Sequence, residues 1–431
     1  MNMREIVRSL IVRLITLEAR AVLKKHRPSV MVVTGSVGKT STKDAVYAAL
    51  KNHTFVRKSE KSYNSDIGVP LTILGVPNGW SSIAQWTKNL VDGLLLIVLP
   101  APYPRWLVVE VGADRPGDIS RALSWLTPSV VVATRIPEVP VHVEFYASPE
   151  DVAREELFPL SRLLPGSVAV VNEDEETTRT TPLPEGVRRM SYGFSKDAEV
   201  RASHYRVLSK NGLPDGISFS VHHGSERTHV TLRGVVGHAH VYAMLGGMAG
   251  ALAAGAPFSD MERVQEAHDP SPGRLRIIEG IRASVLLDDS YNASPAATEE
   301  ALKTLKDSPA RGRHIAVLGD MLELGSFSAD EHKKVGEIVP RYADMLVAVG
   351  VRARRIAERA GESGMREENI RVFENALEAA NWLRDSVGDG DVVLVKGSQS
   401  MRMERVVHAL MAHPEEAPTL LARQDAEWLA R

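Results

Sequence analysis

The stretch Val33–Val46, VTGSVGKTSTKDAV, constrains the fold most, because it requires a strand, a glycine-rich turn and a helix in direct succession. The β-branched run Ser29–Gly35 predicts the strand, and the segment that starts at Thr40 predicts the helix. Glycines let backbone N–H groups turn inward, and a helix N-terminus adds positive potential. The stretch therefore predicts a phosphate-binding loop, and the alternative is a plain strand-to-helix turn.

The Lys–Thr pair favours the phosphate loop over the plain turn. Lys39 can reach the β- and γ-phosphates of a nucleotide, and Thr40 offers a hydroxyl to Mg²⁺. The two glycines are separated by two residues, whereas the longer form of the loop has four between them. We predict nucleotide contacts from the whole loop, which comprises Gly35, Ser36, Val37, Gly38, Lys39, Thr40 and Ser41.

Short β-branched runs alternate with helix-like segments through much of the chain, which indicates a parallel sheet covered on both faces. Residues 198–236 instead alternate polar and apolar side chains around Gly and Asn turns, which predicts antiparallel hairpins. After the Pro/Gly-rich stretch His268–Gly280 the strand–helix alternation restarts. The predicted fold class is α/β. It comprises an N-terminal helix (1–28), a central parallel-sheet P-loop ATPase domain with a β-hairpin addition (29–268), and a smaller Rossmann-like α/β domain (269–431).

Composition narrows the function classes. The net charge of −2 gives no reason to expect a nucleic-acid partner. The absence of cysteine excludes disulfides, thiol catalysis and cysteine-ligated metals. No apolar run reaches the ~20 residues that cross a bilayer, so a cytoplasmic protein is expected.

Two stretches bear on membranes. Residues 1–28 place apolar Ile6, Leu10, Leu14 and Leu17 among arginines and lysines, as in a basic amphipathic helix. This helix could pack on its own domain, pair two subunits in a homodimer, or contact a membrane surface. The apolar stretch Leu90–Pro104 is too short to span and predicts a buried helix or an apolar loop.

The short loop resembles that of the Mur ligase superfamily, whose members use ATP to join a carboxylate to an amine. Six further segments occur in the order of that family, and the last three resemble the branch that adds D-Ala-D-Ala to UDP-MurNAc-tripeptide. They are SYNSDIGVPLTILG (Ser62–Gly75), VVEVGADRPGDI (Val108–Ile119), VHVEFYASPEDVA (Val141–Ala153), DDSYNASPAATEEAL (Asp288–Leu302), AVLGDMLELGSFSADEH (Ala316–His332) and VLVKGSQSMRMERVV (Val393–Val407).

The resemblance implies roles for residues of the first domain. Glu110 would hold Mg²⁺ together with Thr40, and His142 matches the family's histidine ligand to a second Mg²⁺. The expected cofactors are ATP and Mg²⁺. The reaction would pass through an acyl-phosphate, which an amine then attacks to form an amide.

The resemblance also implies that the second domain completes the nucleotide site. Arg274 would contact phosphate, and Asp289 would bind the ribose hydroxyls beside Tyr291 and Asn292. Lys396 comes after an apolar run and could meet the acyl-phosphate or the carboxylate of the incoming amine. The alternative for Lys396 is an ordinary solvated lysine.

Two departures from the family pattern concern the substrate and the metal. Only residues 1–28 precede the ATP-binding strand, so we expect the family's N-terminal UDP-binding domain to be missing. Many members carry a carbamylated lysine where this chain has Glu156, with Glu155 adjacent. We hypothesise that the Glu156 carboxylate replaces the carbamate as a metal ligand, the alternative being a solvated helix charge.

Two further departures concern the nucleotide site. His240 and Ala243 stand where the family has asparagines that help to read adenine. We therefore expect His240 to contact the nucleotide, with adenine selectivity that is relaxed or achieved in another way. Arg135 occupies the usual asparagine position at a strand end, where it could meet a phosphate or a substrate acid.

The sequence supports three hypotheses for the function. The first is a ligase that adds D-Ala-D-Ala or a similar amino-acid unit to a muramyl-peptide cell-wall precursor. The second is a related amide ligase for a non-UDP acceptor, either folate-like or a poly-amino acid. The third is a degenerate nucleotide-binding regulator, which intact Lys39, Thr40, Glu110 and His142 disfavour.

Overall fold

The computed structural model of the chain describes residues 3–59, 67–80, 82–267, 270–425 and 428. Four parts of the sequence predictions lie outside the described residues. They are the first two residues of the N-terminal helix, the Ser62–Asp66 part of the first family segment, the domain boundary between His268 and Asp269, and residues 426, 427 and 429–431 of the predicted second domain.

Strands occur in two groups along the chain. The first group is β1 Ser29–Thr34, β2 Val56–Lys58, β3 Trp106–Glu110, β4 Val130–Ala133, β5 Val168–Asn172, β6 Arg188–Gly193, β7 Val200–Lys210, β8 Leu213–His223 and β9 Glu226–Arg233. The second group is β10 Arg276–Glu279, β11 Val285–Asp289, β12 His314–Gly319, β13 Met345–Val349, β14 Ile370–Phe373 and β15 Val392–Lys396.

Helices connect most of these strands. Those of the first part are α1 Met3–His26, α2 Lys39–Leu50, α3 Gly68–Leu74, α4 Ile83–Val98, α5 Asp118–Leu123, α6 Pro149–Ser161, α7 Glu176–Thr180 and α8 His238–Ala253. Those of the second part are α9 Pro295–Asp307, α10 Ser328–Tyr342, α11 Arg354–Glu362, α12 Ala376–Ser386, α13 Glu404–Leu410 and α14 Ala417–Leu420. Short 3₁₀ segments cover Val143–Phe145, Phe258–Ala267, Ile281–Ala283, Gly325–Phe327, Glu367–Asn369, Gln399–Met401 and Pro414–Glu416.

The first sheet has the strand order β2-β3-β1-β4-β5-β6-β7-β8-β9. The neighbours from β2 to β7 in this order pair parallel, whereas β7, β8 and β9 form antiparallel hairpins. The predicted parallel sheet with an antiparallel addition is therefore confirmed. The hairpins extend the same sheet.

The second sheet has the order β10-β11-β15-β12-β13-β14, and only β10 among its described strands pairs antiparallel. The restart of strand–helix alternation after residue 268 thus corresponds to a separate, mostly parallel sheet. The α/β fold class is confirmed in both parts of the chain.

Strand β1 shows how the first sheet is buried on both faces. Met31 and Val33 belong to the apolar cluster beneath α2 and α8, whereas Val30 and Val32 belong to the cluster on the opposite face. All four side chains are at most 3% exposed. A strand covered on both sides needs apolar residues at every position, which explains the continuous β-branched run.

Helix α1 packs on the second of these faces. Its Ile15, Ala19 and Val22 are fully buried in the same cluster as Val30 and Val32. This spacing matches the helical repeat, so one face of α1 is fixed on its own domain. Helix α4 lies beside α1, as the hydrogen bond from Lys25 Nζ to the Leu96 carbonyl oxygen (2.9 Å) shows.

The stretch Leu90–Pro104 differs from its prediction. Its first part lies in helix α4 as expected, but Val91, Leu94, Leu95 and Val98 are exposed. The prediction of burial is therefore wrong for the outer side of this helix. In the described part of the chain, no helix is both long and apolar enough to cross a membrane.

Close contact between α2 and α8 depends on a glycine. A Cβ atom added to Gly247 would lie 2.4 Å from Ala45 Cβ and 2.8 Å from the Ala45 backbone carbon. Neither helix can yield without moving its backbone, so the small residues of α8 set the distance between the helices.

We expect Gly247→Ala to destabilise the protein by about 1–2 kcal/mol. Overpacking costs about 1–3 kcal/mol, which outweighs the gain of up to about 1 kcal/mol in helix propensity. Chemical denaturation of both proteins measures the difference. Gly361→Ala in α11 is the control, because its new Cβ would meet nothing closer than Ile370 at 3.6 Å. A Gly247→Ala protein as stable as the Gly361→Ala protein would contradict the packing argument.

Candidate active site

Both sheets present chemically active residues at the carboxyl ends of their parallel strands. Strand β1 lies between β3 and β4 in the first sheet, so the chain leaves the sheet there in two directions. Ligands bind at such a switch point, outside the carboxyl ends of the strands. The phosphate loop comes directly after β1, and Glu110 ends β3 in register with Val33.

The two loop glycines adopt conformations that other residues rarely reach. Gly35 has a φ of 115° and Gly38 a φ of 89°. A Cβ atom on Gly35 would lie 2.3 Å from Thr134 Oγ1, so this position also needs the space that glycine leaves. The loop geometry thus explains both glycines of the sequence motif.

Part of the loop is held by the protein itself. The N–H groups of Ser36 and Val37 donate to the carbonyl oxygen of Arg135 (3.0 and 3.1 Å), and the Gly35 N–H donates to Glu156 Oε2 (3.2 Å). This corrects the expectation that these N–H groups turn inward to the phosphates. Phosphate contacts are left to the N-terminus of α2, the Lys39 ammonium and the buried Ser36 hydroxyl, which makes no hydrogen bond to the described residues.

Glu110 and Thr40 meet, as the sequence predicted. The Thr40 hydroxyl donates to Glu110 Oε1 (3.1 Å), and Glu110 is 2% exposed. The other carboxylate oxygen, Oε2, lies 3.6 Å from Lys43 Nζ and accepts no hydrogen bond within the described structure. A hydroxyl and an unsatisfied carboxylate oxygen beside a phosphate loop fit a Mg²⁺ ion, which binds few protein ligands and keeps water or phosphate oxygens.

His142 lines the same cavity but has other partners. Its Nδ1 lies 2.6 Å from Glu323 Oε2, and its Nε2 lies 3.6 Å from Asp114 Oδ1. Burial acts to lower the pKa of His142, but the hydrogen bond and charge of Glu323 outweigh it and raise that pKa. Metal ligation needs the neutral imidazole. No three His, Asp or Glu side chains of the described residues form a ready metal cluster, so the ligand role of His142 stays a prediction.

Glu156 is buried beneath the phosphate loop. Its Oε2 accepts hydrogen bonds from the Gly35 N–H and the Thr34 hydroxyl, and its Oε1 lies 3.6 Å from Lys39 Nζ. The side chain is 3% exposed, so the alternative of a solvated helix charge is wrong. Burial raises the pKa of Glu156, although the nearby Lys39 opposes the shift.

The second sheet contributes a buried ion pair. Asp289 ends β11 in register with Lys396, which ends β15, and Lys396 Nζ lies 2.6 Å from Asp289 Oδ2. Lys396 also donates to the Asn292 carbonyl oxygen (3.0 Å) and is 3% exposed, so the solvated alternative is wrong here too. The Arg274 guanidinium carbon lies 4.5 Å from the centre of the Tyr291 ring. These positions bring together the residues that the sequence assigned to this half of the site.

Two contacts join the domains beside the loop. His240 Nε2 lies 2.8 Å from the carbonyl oxygen of Arg274, and the nucleotide-binding role of His240 stays a prediction. Arg135 forms ion pairs with Glu175 (2.5 Å) and with Glu300 of α9. Two carboxylates therefore bind the Arg135 guanidinium in this structure, and its contact with a phosphate or a substrate acid stays a prediction.

One cavity of about 580 Å³ collects these groups from both domains. It is lined by loop residues Ser36 to Ser41, by Glu110, His142, Glu156 and His240, and by Arg274, Asp289, Asn292 and Lys396. The sequence-predicted residues thus share one cavity, apart from Gly35, which shapes the loop at its edge, and Arg135, which does not line the cavity.

Sequence reasoning missed three residues around this cavity. Lys43 lies one helical turn after Lys39, so helical periodicity could have indicated it. Glu323 belongs to a recognised segment, but nothing in its spacing pairs it with His142. Arg423 gave no signal, yet it donates to the carbonyl oxygens of Ser290 (2.7 Å) and Tyr291 (3.0 Å) and thereby holds the segment that carries Asp289.

Comparison with known proteins agrees with this geometry. The sequence profile of the Mur ligase middle domain matches residues 33–85 and 94–251, and that of the Mur ligase, glutamate ligase domain matches residues 273–399. The chain is 26% identical to UDP-N-acetylmuramoyl-tripeptide–D-alanyl-D-alanine ligase of Bacillus subtilis, over 92% of this chain and 79% of the relative. It is 28% identical to the enzyme of that name from Escherichia coli, over 91% of this chain and 79% of the relative.

A solved structure shows the same fold. MurF ligase from Thermotoga maritima, in complex with ADP, superposes with a TM-score of 0.74 at 24% identity. The match covers 94% of this chain and 84% of the other.

Asp288 gives a prediction for the pH dependence of stability. Its carboxylate accepts hydrogen bonds from the Ser290 hydroxyl (2.6 Å) and from the N–H groups of Ser290 and Gly273 (both 3.1 Å). Burial nevertheless raises the pKa of Asp288 from 3.8 to about 6. The folded protein therefore binds this proton more tightly than the unfolded chain does.

From this group alone, the free energy of unfolding should fall as pH rises from the unfolded pKa through about 6. Over this range the free energy of unfolding should fall by about 3 kcal/mol in total, and Asp288→Asn should abolish this decrease with pH. Denaturant unfolding of both proteins across this pH range measures the difference. The exposed Asp385→Asn is the control. An identical pH dependence in wild type and Asp288→Asn would contradict the expectation.

Proposed function

This chain belongs to the Mur ligase family, and we propose that it joins D-Ala-D-Ala, or a similar amino-acid unit, to a carboxylate of a muramyl-peptide cell-wall precursor at the expense of ATP. Family profiles cover both the middle and the C-terminal parts of the chain. The relatives in Bacillus subtilis and Escherichia coli carry the name of that ligase and align over more than nine tenths of this chain.

The observation that carries the proposal is the shared cavity between the two sheets. Lys39 and the N-terminus of α2 line it from one domain, and Arg274 and Lys396 line it from the other. A cavity with several cationic groups suits a nucleoside triphosphate together with a second anionic reactant. The ADP complex of the Thermotoga maritima structure supports ATP as the nucleotide.

The proposed chemistry has two steps. A carboxylate oxygen of the precursor attacks the γ-phosphorus of ATP, the bond to the β-phosphate oxygen breaks, and ADP leaves. The amine of the incoming unit then attacks the acyl carbon, the C–O bond breaks, and phosphate leaves as the amine loses a proton. Most of the rate enhancement in such transfers comes from positioning and charge stabilisation, so no nucleophilic side chain is needed.

The residues of the cavity have matching roles in this proposal. Lys39 would bind the β- and γ-phosphates, and Arg274 would contact phosphate from the second domain. Asp289 would bind the ribose hydroxyls. Lys396 would face the acyl-phosphate or the carboxylate of the incoming unit, with Asp289 and the Asn292 carbonyl fixing its ammonium.

Thr40, Glu110, His142 and Glu156 are the residues that would hold Mg²⁺. When bound, Mg²⁺ neutralises phosphate charge during the transfer. The unsatisfied Glu110 Oε2 and the adjacent Thr40 hydroxyl support the first site. For Glu156, the support is a buried carboxylate beside the loop, at the position where many members of the family resemble one another in carrying a carbamylated lysine.

Phosphate release tests the proposed reaction. We expect phosphate release when ATP, Mg²⁺, UDP-MurNAc-tripeptide and D-Ala-D-Ala are all present. We expect none when either UDP-MurNAc-tripeptide or D-Ala-D-Ala is omitted. Release only with a folate-like or poly-amino-acid acceptor would contradict the cell-wall assignment and favour the second ligase. Nucleotide binding without turnover on any acceptor would contradict ligase activity altogether.

Glu156→Gln tests the metal role of that carboxylate. The amide keeps the shape and the hydrogen bonds to the loop but removes the charge, so we expect a loss of about 10²-fold in kcat and an altered Mg²⁺ dependence. Glu150→Gln, an exposed position on the same helix, is the matched control. Full activity with an unchanged Mg²⁺ dependence in Glu156→Gln would show that Glu156 is not a ligand.

A further inference from the structure

The outer side of helix α4 is an apolar surface without a partner among the described residues. Ile83, Val91, Leu94, Leu95 and Val98 are all exposed, and the exposed fraction is 66% at Val98. Single exposed apolar residues are common on soluble proteins, but a contiguous group on one helix indicates an interaction surface.

Helix α1 continues this surface. Leu10, Leu14 and Leu17 have the i, i+4, i+7 spacing on the side of α1 that faces away from the core, and all three are exposed. The two helices are fixed side by side by Lys25 of α1. Its Nζ donates to the carbonyl oxygen of Leu96 in α4 (2.9 Å) and to that of Leu99, which directly follows α4 (2.5 Å). We call the exposed apolar residues of both helices the two-helix face.

The exposed charges around the two-helix face are basic. Among the described side chains of α1 and α4, the acidic Glu18 and Asp92 are only partly exposed. The exposed basic residues include Arg13, Arg20, Lys24, Lys25 and Lys88. An apolar strip beside lysines and arginines is the pattern of helices that lie in the interface of an anionic membrane.

We propose that the two-helix face docks the protein on an anionic lipid surface, with the leucines and valines of α1 and α4 entering the headgroup boundary and the basic residues contacting lipid phosphates. The attachment is peripheral. Trp80, which is 66% exposed just before α4, adds a side chain of the type enriched at membrane interfaces.

Charge favours lipid over a second copy of the chain as the occupant. Two copies that paired through this face would bring two basic rims together, and like charges across an interface oppose association. An anionic membrane instead pairs each of those cations with a lipid phosphate. The inference goes beyond the proposed ligase activity and does not depend on it.

Vesicle co-sedimentation of the full chain tests the proposal. We expect binding to phosphatidylcholine vesicles that contain phosphatidylglycerol, weaker binding to pure phosphatidylcholine, and weaker binding at high salt. The double variant Leu94→Asp and Val98→Asp should bind at least about tenfold more weakly, because it puts charge into the apolar strip. The pair Arg13→Glu and Lys24→Glu should lose the preference for anionic lipid.

Leu377→Asp in α12 is the matched control, since Leu377 and Leu94 are both 54% exposed. Thermal unfolding of all variants shows whether they are folded. The proposal fails if the wild type does not bind anionic vesicles, or if the Leu94/Val98 variant binds as well as the Leu377 variant. It also fails if light scattering without lipid shows a dimer that this double variant abolishes, because a second copy then covers the face. The vesicle and light-scattering measurements contain neither ATP nor an acceptor, so their outcomes are independent of the phosphate-release test.

Discussion

The direction of the parallel strands is the constraint on which the site depends. Neighbouring parallel strands end at the same edge of a sheet, so residues that come directly after them in the sequence become neighbours in space. Thr40, which follows β1, meets Glu110 at the end of β3 in this way, and Asp289 meets Lys396 at the ends of β11 and β15. Because the carboxyl edges of the two sheets border one cavity, a nucleotide site can be assembled from segments more than 350 residues apart.

Three lysines at or near this cavity are largely buried, and each of them lies beside a carboxylate. Lys39, Lys43 and Lys396 lie within 3.6 Å of Glu156, Glu110 and Asp289 respectively. A buried charge left without its partner destabilises a protein by several kcal/mol, so these pairs stabilise the lining of the cavity. The same pairs hold the side chains of Lys39 and Lys396 at the cavity that would receive phosphate oxygens. Binding an anionic nucleotide would therefore redistribute existing ion pairs.

Local sequence pattern was enough to predict the strands and the phosphate loop, and the family resemblance supplied most other residues of the site, but neither predicted the contacts between distant segments. Runs of β-branched residues identified the principal strands, and the resemblance to the Mur ligase superfamily implied the meeting of Thr40 with Glu110. The pairing of His142 with Glu323, and the support that Arg423 gives to Ser290, join segments more than 130 residues apart with no shared periodicity. The exposure of α4 was also missed, because apolar composition gives a tendency to be buried but not the area available to cover it.

Arg135 shows how a departure from the family pattern can connect the loop to the second domain. Its carbonyl oxygen receives the N–H groups of Ser36 and Val37, which fixes the loop within the first domain. Its guanidinium pairs with Glu175 of the first domain and with Glu300 of the second. Any motion that separates the two sheets must break the pair with Glu300, whereas the hydrogen bonds to the loop can persist. An arginine at this strand end therefore joins the segment that holds the phosphate loop to the second domain through an ion pair, which an uncharged asparagine could not form.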